Sequence, residues 1–175
     1  MRILLPAALL LVSVSAHADN SFSLAGQCAK SEPQYALPVA DAPGHLLMVA
    51  KTHCTLSGGE VNGLALKQQD VYASAEMNGV NLTVHGYVIV TAEGGDKAFV
   101  TFQGKGTIRD KSGDEDGTWR FTGGTGKLKG LEGKGTYKGT DKADGTASDE
   151  IQGTWNIHES ATAKIRSAIS KAKGN

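Results

Sequence analysis

Few ionisable side chains in this 175-residue chain occupy positions from which they could act together. Asp149 and Tyr137 share the parity of apolar residues on alternating runs, so they are the acid and the phenol that could polarise a bound molecule or move a proton within a folded sheet. Thr52 is the other polar member of that inward set, with the ring nitrogens of Trp119 and Trp155. His53, Glu76, His85, Glu132, Glu150 and His158 have the opposite parity and are expected to face out. Acid–base catalysis would therefore rest on Asp149 and Tyr137 alone, and no Ser, His and Asp fall into a nucleophilic triad by spacing. The reading leans away from an enzyme.

Three other clusters invite chemistry. Cys28, His45, His53 and Cys54 are metal-ligand types, but His53 and Cys54 are neighbours on an extended run and point to opposite faces. An even cysteine count in an exported chain favours a Cys28–Cys54 disulfide instead, worth roughly 3 kcal/mol in a chain-entropy model. Asp110, Asp114, Glu115 and Asp116 form an acidic stretch that lacks the glycine and the twelfth-position glutamate of an EF-hand, and a solvated turn is expected there. Gly123-Gly124-Thr125-Gly126-Lys127 resembles a phosphate loop, but Phe121 stands where the first glycine belongs and Leu128 where Ser or Thr belongs. It reads as a bend between strands. No metal and no cofactor is expected.

The elements that must position these residues are strands. In Gly117 to Gly139, two alternating runs flank a glycine-dense turn, placing Trp119, Phe121, Leu131 and Tyr137 on one face and Thr118, Arg120, Thr122, Glu132, Lys134, Thr136 and Lys138 on the other. Further strands are expected at 21–28, 45–56, 71–77, 80–91 and 97–108. A long connection at 31–44 holds Pro33, Pro38, Pro43 and Gly44, and a type I′ turn is expected at Asn78-Gly79. Even parity on 45–56 carries Cys54 to the side that Cys28 would face.

The second half repeats itself. Gly104-Lys105-Gly106-Thr107 and Gly117-Thr118-Trp119 are echoed by Gly133-Lys134-Gly135-Thr136 and Gly153-Thr154-Trp155, which reads as one hairpin used twice. Most of the 23 glycines lie between Gly104 and Gly153, and in the strands they share parity with the aromatic residues. Small residues beside large ones on an inward face suit a tightly coiled, closed sheet. The fold expected is all-β: a single closed antiparallel barrel of about eight strands over residues 19–158.

The ends of the chain differ from the barrel. Arg2, an apolar run to Val14 and Ser15-Ala16-His17-Ala18 read as a signal peptide over residues 1–18, cleaved after Ala18 and implying a periplasmic or extracellular destination. No later apolar run suits a membrane-spanning helix. Residues 159–175 carry Ile165 and Ile169 at helical spacing among lysines and read as a short basic helix or tail. Lys+Arg and Asp+Glu each number 18, and a chain so balanced has no long-range field with which to collect nucleic acid.

The segment from Trp119 to Tyr137, WRFTGGTGKLKGLEGKGTY, resembles the G-G-T-G-x-[FY]-x-G-[AI]-x-G-x-G stretch of the allene-oxide-cyclase-like barrels, which include plant dirigent proteins and small exported bacterial proteins of unassigned role. Leu128 stands where an aromatic is usual, and no catalytic residue of the family maps onto this chain. The resemblance implies an eight-stranded barrel, often a trimer. It also implies an interior that takes hydrophobic small molecules, whose cyclisation or coupling some relatives steer.

Three readings follow. In the first, an exported, non-catalytic barrel holds a small apolar ligand against Phe102, Trp119, Phe121, Tyr137 and Trp155, or binds a partner. The second is an isomerase or cyclase using Asp149 and Tyr137. The third is a structural envelope protein with a filled barrel. Interior volume separates them.

Overall fold

A computed structural model describes residues 20–31 and 34–158 of the chain. The signal peptide expected at 1–18 and the basic helix or tail at 159–175 lie outside the described residues. Ten strands run in the order β1 (Asn20–Cys28), β2 (Gln34–Pro38), β3 (His45–Gly58), β4 (Glu60–Val61), β5 (Leu64–Asn78), β6 (Asn81–Ala92), β7 (Lys97–Arg109), β8 (Ser112–Gly124), β9 (Leu131–Asp141) and β10 (Ala147–Ile157). From β5 to β10 each strand pairs antiparallel with the next; β10 then pairs with β1, β1 with β3, and β3 with β5. Eight strands thus close a barrel. No helix among the described residues is long and apolar enough to cross a membrane.

Alternation sets the two faces. On β6, Leu82, Val84, Val88 and Val90 are buried while Asn81, Thr83, His85 and Tyr87 are exposed. On β8 and β9, Trp119, Phe121, Leu131 and Tyr137 are buried, and Thr118, Arg120, Thr122, Glu132, Lys134, Thr136 and Lys138 are exposed, as the alternation predicts. His53, Glu76, His85, Glu132, Glu150 and His158 all face out.

The glycines make room for rings. Side chains added at Gly135 and Gly153 would run into the Trp119 indole, and ones at Gly104 and Gly117 into Tyr137. The two repeat copies do form two hairpins, but their registers differ: Gly104 faces Gly117, whereas Gly135, the counterpart of Gly106, faces Gly153. That two-residue offset sets Tyr137 over one glycine pair and Trp119 over the other.

One end of the barrel is shut. Val61, Leu66, Ala98, Leu128 and Leu131 are 3% exposed or less, each burial of a leucine or valine contributing about 1.5–3 kcal/mol. The Asn62 amide donates to the Lys127 carbonyl at 2.9 Å, tying the β4–β5 turn to the β8–β9 turn across that end. Gly123 to Lys127 is a corner here, and the Lys127 amide N–H donates to the Asp96 carboxylate at 3.0 Å. A carboxylate already occupies the donor that a phosphate loop would offer to an anion.

Three sequence expectations need correction. The 31–44 connection contains β2, which lies along the first half of β3 (Gln34 opposite Ala50, Pro38 opposite Leu46) and pairs with no other described strand. Proline is tolerated at such an edge because no neighbour asks for its missing N–H. The expected Asn78-Gly79 turn is centred one residue later: Asn78 pairs with Asn81, leaving Gly79 (φ 63°) and Val80 as the central residues. Paired positive φ values occur instead at Asn62-Gly63 and Asp110-Lys111. Finally, the acidic stretch is not a solvated loop, because β8 begins at Ser112. Asp114 and Asp116 face out and Glu115 faces in, so the three cannot converge on one calcium ion.

Candidate functional site

The barrel encloses an apolar cavity of about 240 Å³. Its floor is an aromatic cluster in which Trp119 lies 4.9 Å from Phe121 and 5.5 Å from Phe22, centroid to centroid. Phe102 meets Tyr137 edge to face at 5.9 Å higher on the wall. Phe102, Trp119, Phe121 and Tyr137 all line the cavity. Trp155 does not: it packs against the core opposite Gly133 and borders a separate surface hollow with Arg120, Glu132 and His158.

The other end of the cavity is acidic. One row of directly opposed residues crosses five strands as Gly106, Glu115, Gly139, Asp149 and Gly26. Glu115 and Asp149 point inward from β8 and β10, and Gly139 between them has no side chain. A methyl group added there would meet Glu115 Cγ at 3.0 Å, Asp149 Oδ1 at 3.2 Å and Glu115 Oε1 at 3.3 Å. The two carboxyls therefore share the space above one Cα. Asp141, also inward and cavity-lining, stands one row nearer the mouth, opposite Ala147.

Asp149 has two further neighbours. Gln69 Nε2 donates to Asp149 Oδ2 at 3.4 Å. Cys28 Sγ lies 3.4 Å from the same oxygen, but Cys28 and Cys54 form the expected disulfide, so a hydrogen bond there needs a protonated Asp149 as donor. The bridge also leaves no thiolate for a metal. His45 lies between Asp41 (2.6 Å) and Glu76 (2.9 Å), and His53 pairs with Asp70 at 3.0 Å, both on the outer surface.

Electrostatics follow from burial. Removal from water pushes the Glu115 pKa up to about 7, assisted by the charges of Asp141 and Asp149, with the Tyr137 hydroxyl acting the other way. Asp149 is pushed up to about 6 by burial and then by Asp141. Asp141 is raised by burial and by Asp114. Tyr137 is raised by burial, then by the charges of Glu115 and Asp149. Its hydroxyl lies near Glu115, yet it is buried and makes no well-formed hydrogen bond with any described residue. Such an orphan costs about 1–3 kcal/mol until something partners it.

Near neutral pH this site can carry one shared proton or two charges. It can give or accept a proton, or hold a cation against apolar walls. Of its polar groups, Asp149 and Tyr137 are legible from parity, and the structure brings both to the cavity. Glu115, Asp141 and Gln69 are not in the inward set read from the sequence. Their signal was parity again: counting back from Trp119 through Gly117 reaches Glu115, and counting on from Tyr137 through Gly139 reaches Asp141.

Compared with protein-family models and with curated proteins, the sequence matches none.

Proposed function

We propose that the chain is an exported barrel that takes a small apolar molecule into its cavity without transforming it. The single observation that carries this reading is the cavity itself: about 240 Å³ of space between an aromatic floor and an acidic rim, in a barrel that could have been filled by larger side chains. Ala73 and Ala75 face that space where bulkier residues would close it. The Cys28–Cys54 disulfide supports an oxidising compartment and hence export. Kinship with the allene-oxide-cyclase-like barrels belongs to the same proposal, resting on the Trp119–Tyr137 segment and the closed barrel. So does self-association as a trimer, which the exposed pairs Tyr35–Val49 and Leu37–Leu47 on β2 and β3 support.

The test is native mass spectrometry of the protein purified from its own host, alongside an Ala73→Leu variant. A co-purifying small molecule that is lost in the variant supports the reading. An empty protein that also ignores apolar probes refutes it.

One observation favours a second reading, a proton-transferring isomerase. Glu115 and Asp149 ionise near neutrality beside the Tyr137 phenol, a setting suited to moving a proton between two carbons of a bound molecule. Turnover unchanged by Asp149→Asn, Glu115→Gln and Tyr137→Phe would remove that mechanism.

A further inference from the structure

We propose that the cavity selects an amphiphilic cation: a small, one-ring apolar molecule whose protonated amine sits over Gly139 between Glu115 and Asp149. This rests on the binding reading above and names the ligand class. The first ground is an imbalance of charge. Three carboxyls line the cavity, and among the described residues no lysine, arginine or histidine does. The inward faces of β1, β3, β5, β6 and β7 are uncharged in the described residues, and Asp114 and Asp116, the charged neighbours on β8, face outward. No basic side chain among the described residues faces the acids, so once they ionise above neutrality a cationic occupant supplies the compensating charge.

The second ground is shape. Glycine in the middle of the acid row leaves an opening floored by backbone and walled by two carboxyls, while Gly26 and Gly106 keep the flanks of the row free of side chains. A cation there touches both acids. The third ground is the supply of donors. Gln69 already donates to Asp149, and the buried Tyr137 hydroxyl, unpaired among the described residues, lies beside Glu115. Each carboxylate thus has a neutral donor nearby that can orient it, and among the described residues neither has a counter-ion. Below the row, Phe102 and Trp119 offer ring faces and edges to a hydrocarbon body.

Three matched probes test this by titration calorimetry: 2-phenylethylamine, 2-phenylethanol and phenylacetate. At pH 8 the amine is expected to bind about tenfold tighter than the alcohol, or better, with no detectable binding of phenylacetate. At pH 5, where Glu115 and Asp149 are mostly protonated, the amine's advantage over the alcohol should fall sharply in the unaltered chain. The double variant Glu115→Gln, Asp149→Asn should lose the same advantage at pH 8 while retaining the alcohol, and Asp149→Asn alone should lose part of it. An alcohol that binds as well as the amine at pH 8 overturns the charge inference and leaves the cavity reading standing. An amine preference that survives in the double variant puts the cation elsewhere and also overturns it. Binding of none of the three probes removes both.

Discussion

Replacing Glu115 with glutamine should stabilise the protein at pH 8 and leave it unchanged at pH 4. Burial and neighbouring acids hold the Glu115 carboxyl at about 7 in the folded state, against 4.5 for a free glutamate. The folded state therefore binds this proton more tightly than the unfolded chain. Stability from the group is greatest below pH 4.5, declines as pH rises toward 7, and is flat above that. At about 1.4 kcal/mol per pH unit, the interval from 4.5 to about 7 amounts to ~3 kcal/mol of penalty at pH 8. Glutamine keeps the shape and removes the ionisation, so urea unfolding at pH 8 should show Glu115→Gln more stable by ~2–3 kcal/mol, with coincident curves at pH 4. Part of the wild-type decline between pH 4 and 6 should persist in the variant, because Asp149 contributes its own from 3.8 to about 6. A variant less stable than wild type at pH 8 would refute the reasoning, since it would mean that the ionised carboxylate is held by partners worth more than its desolvation.

Two further perturbations probe the frame around the site. Gly153→Ala should lower stability by about 1–3 kcal/mol and shift tryptophan emission, because the added methyl meets the Trp119 indole and the Lys134 carbonyl; a neutral effect in thermal melts would show that the ring can move aside. Reducing the Cys28–Cys54 bridge, 26 residues apart in sequence, should cost about 3 kcal/mol in chemical denaturation, and equal midpoints with and without reductant would contradict that.

Strand parity carried most of what could be read beforehand. It placed Trp119, Phe121, Leu131 and Tyr137 inside, brought Cys54 to the side of Cys28, and made Asp149 an interior acid. It failed where a strand end was misjudged. Four acidic residues between 110 and 116 look like a solvated turn, but Asp110 and Lys111 complete the turn alone, and the next residue is already strand. Once β8 is extended to Ser112, Glu115 falls inside by the same count that places Trp119. Gln69 escaped for a related reason: β5 starts earlier than Val71, and counting back two residues from Val71 reaches Gln69 before the bulge between Leu66 and Gln68. β2 was hidden by prolines that read as loop, of which Pro38 closes the strand on an outer edge.

The closing seam has a consequence for the order of assembly. Hairpin neighbours from β5 to β10 can zip locally, but β1 must find β10, with Asn20 opposite Trp155, across nearly the whole described chain. Contacts so distant in sequence form slowly, since a long loop must be closed before they repay anything. Asp149 stands on β10 and Gly26 opposite it on β1, so the acid row straddles that seam. The strand pair that forms across the greatest length of chain is also the one that completes the site, and a molecule bound there grips both sides of the join. Occupancy should accordingly slow the unzipping of β1 from β10 more than it slows the opening of any hairpin.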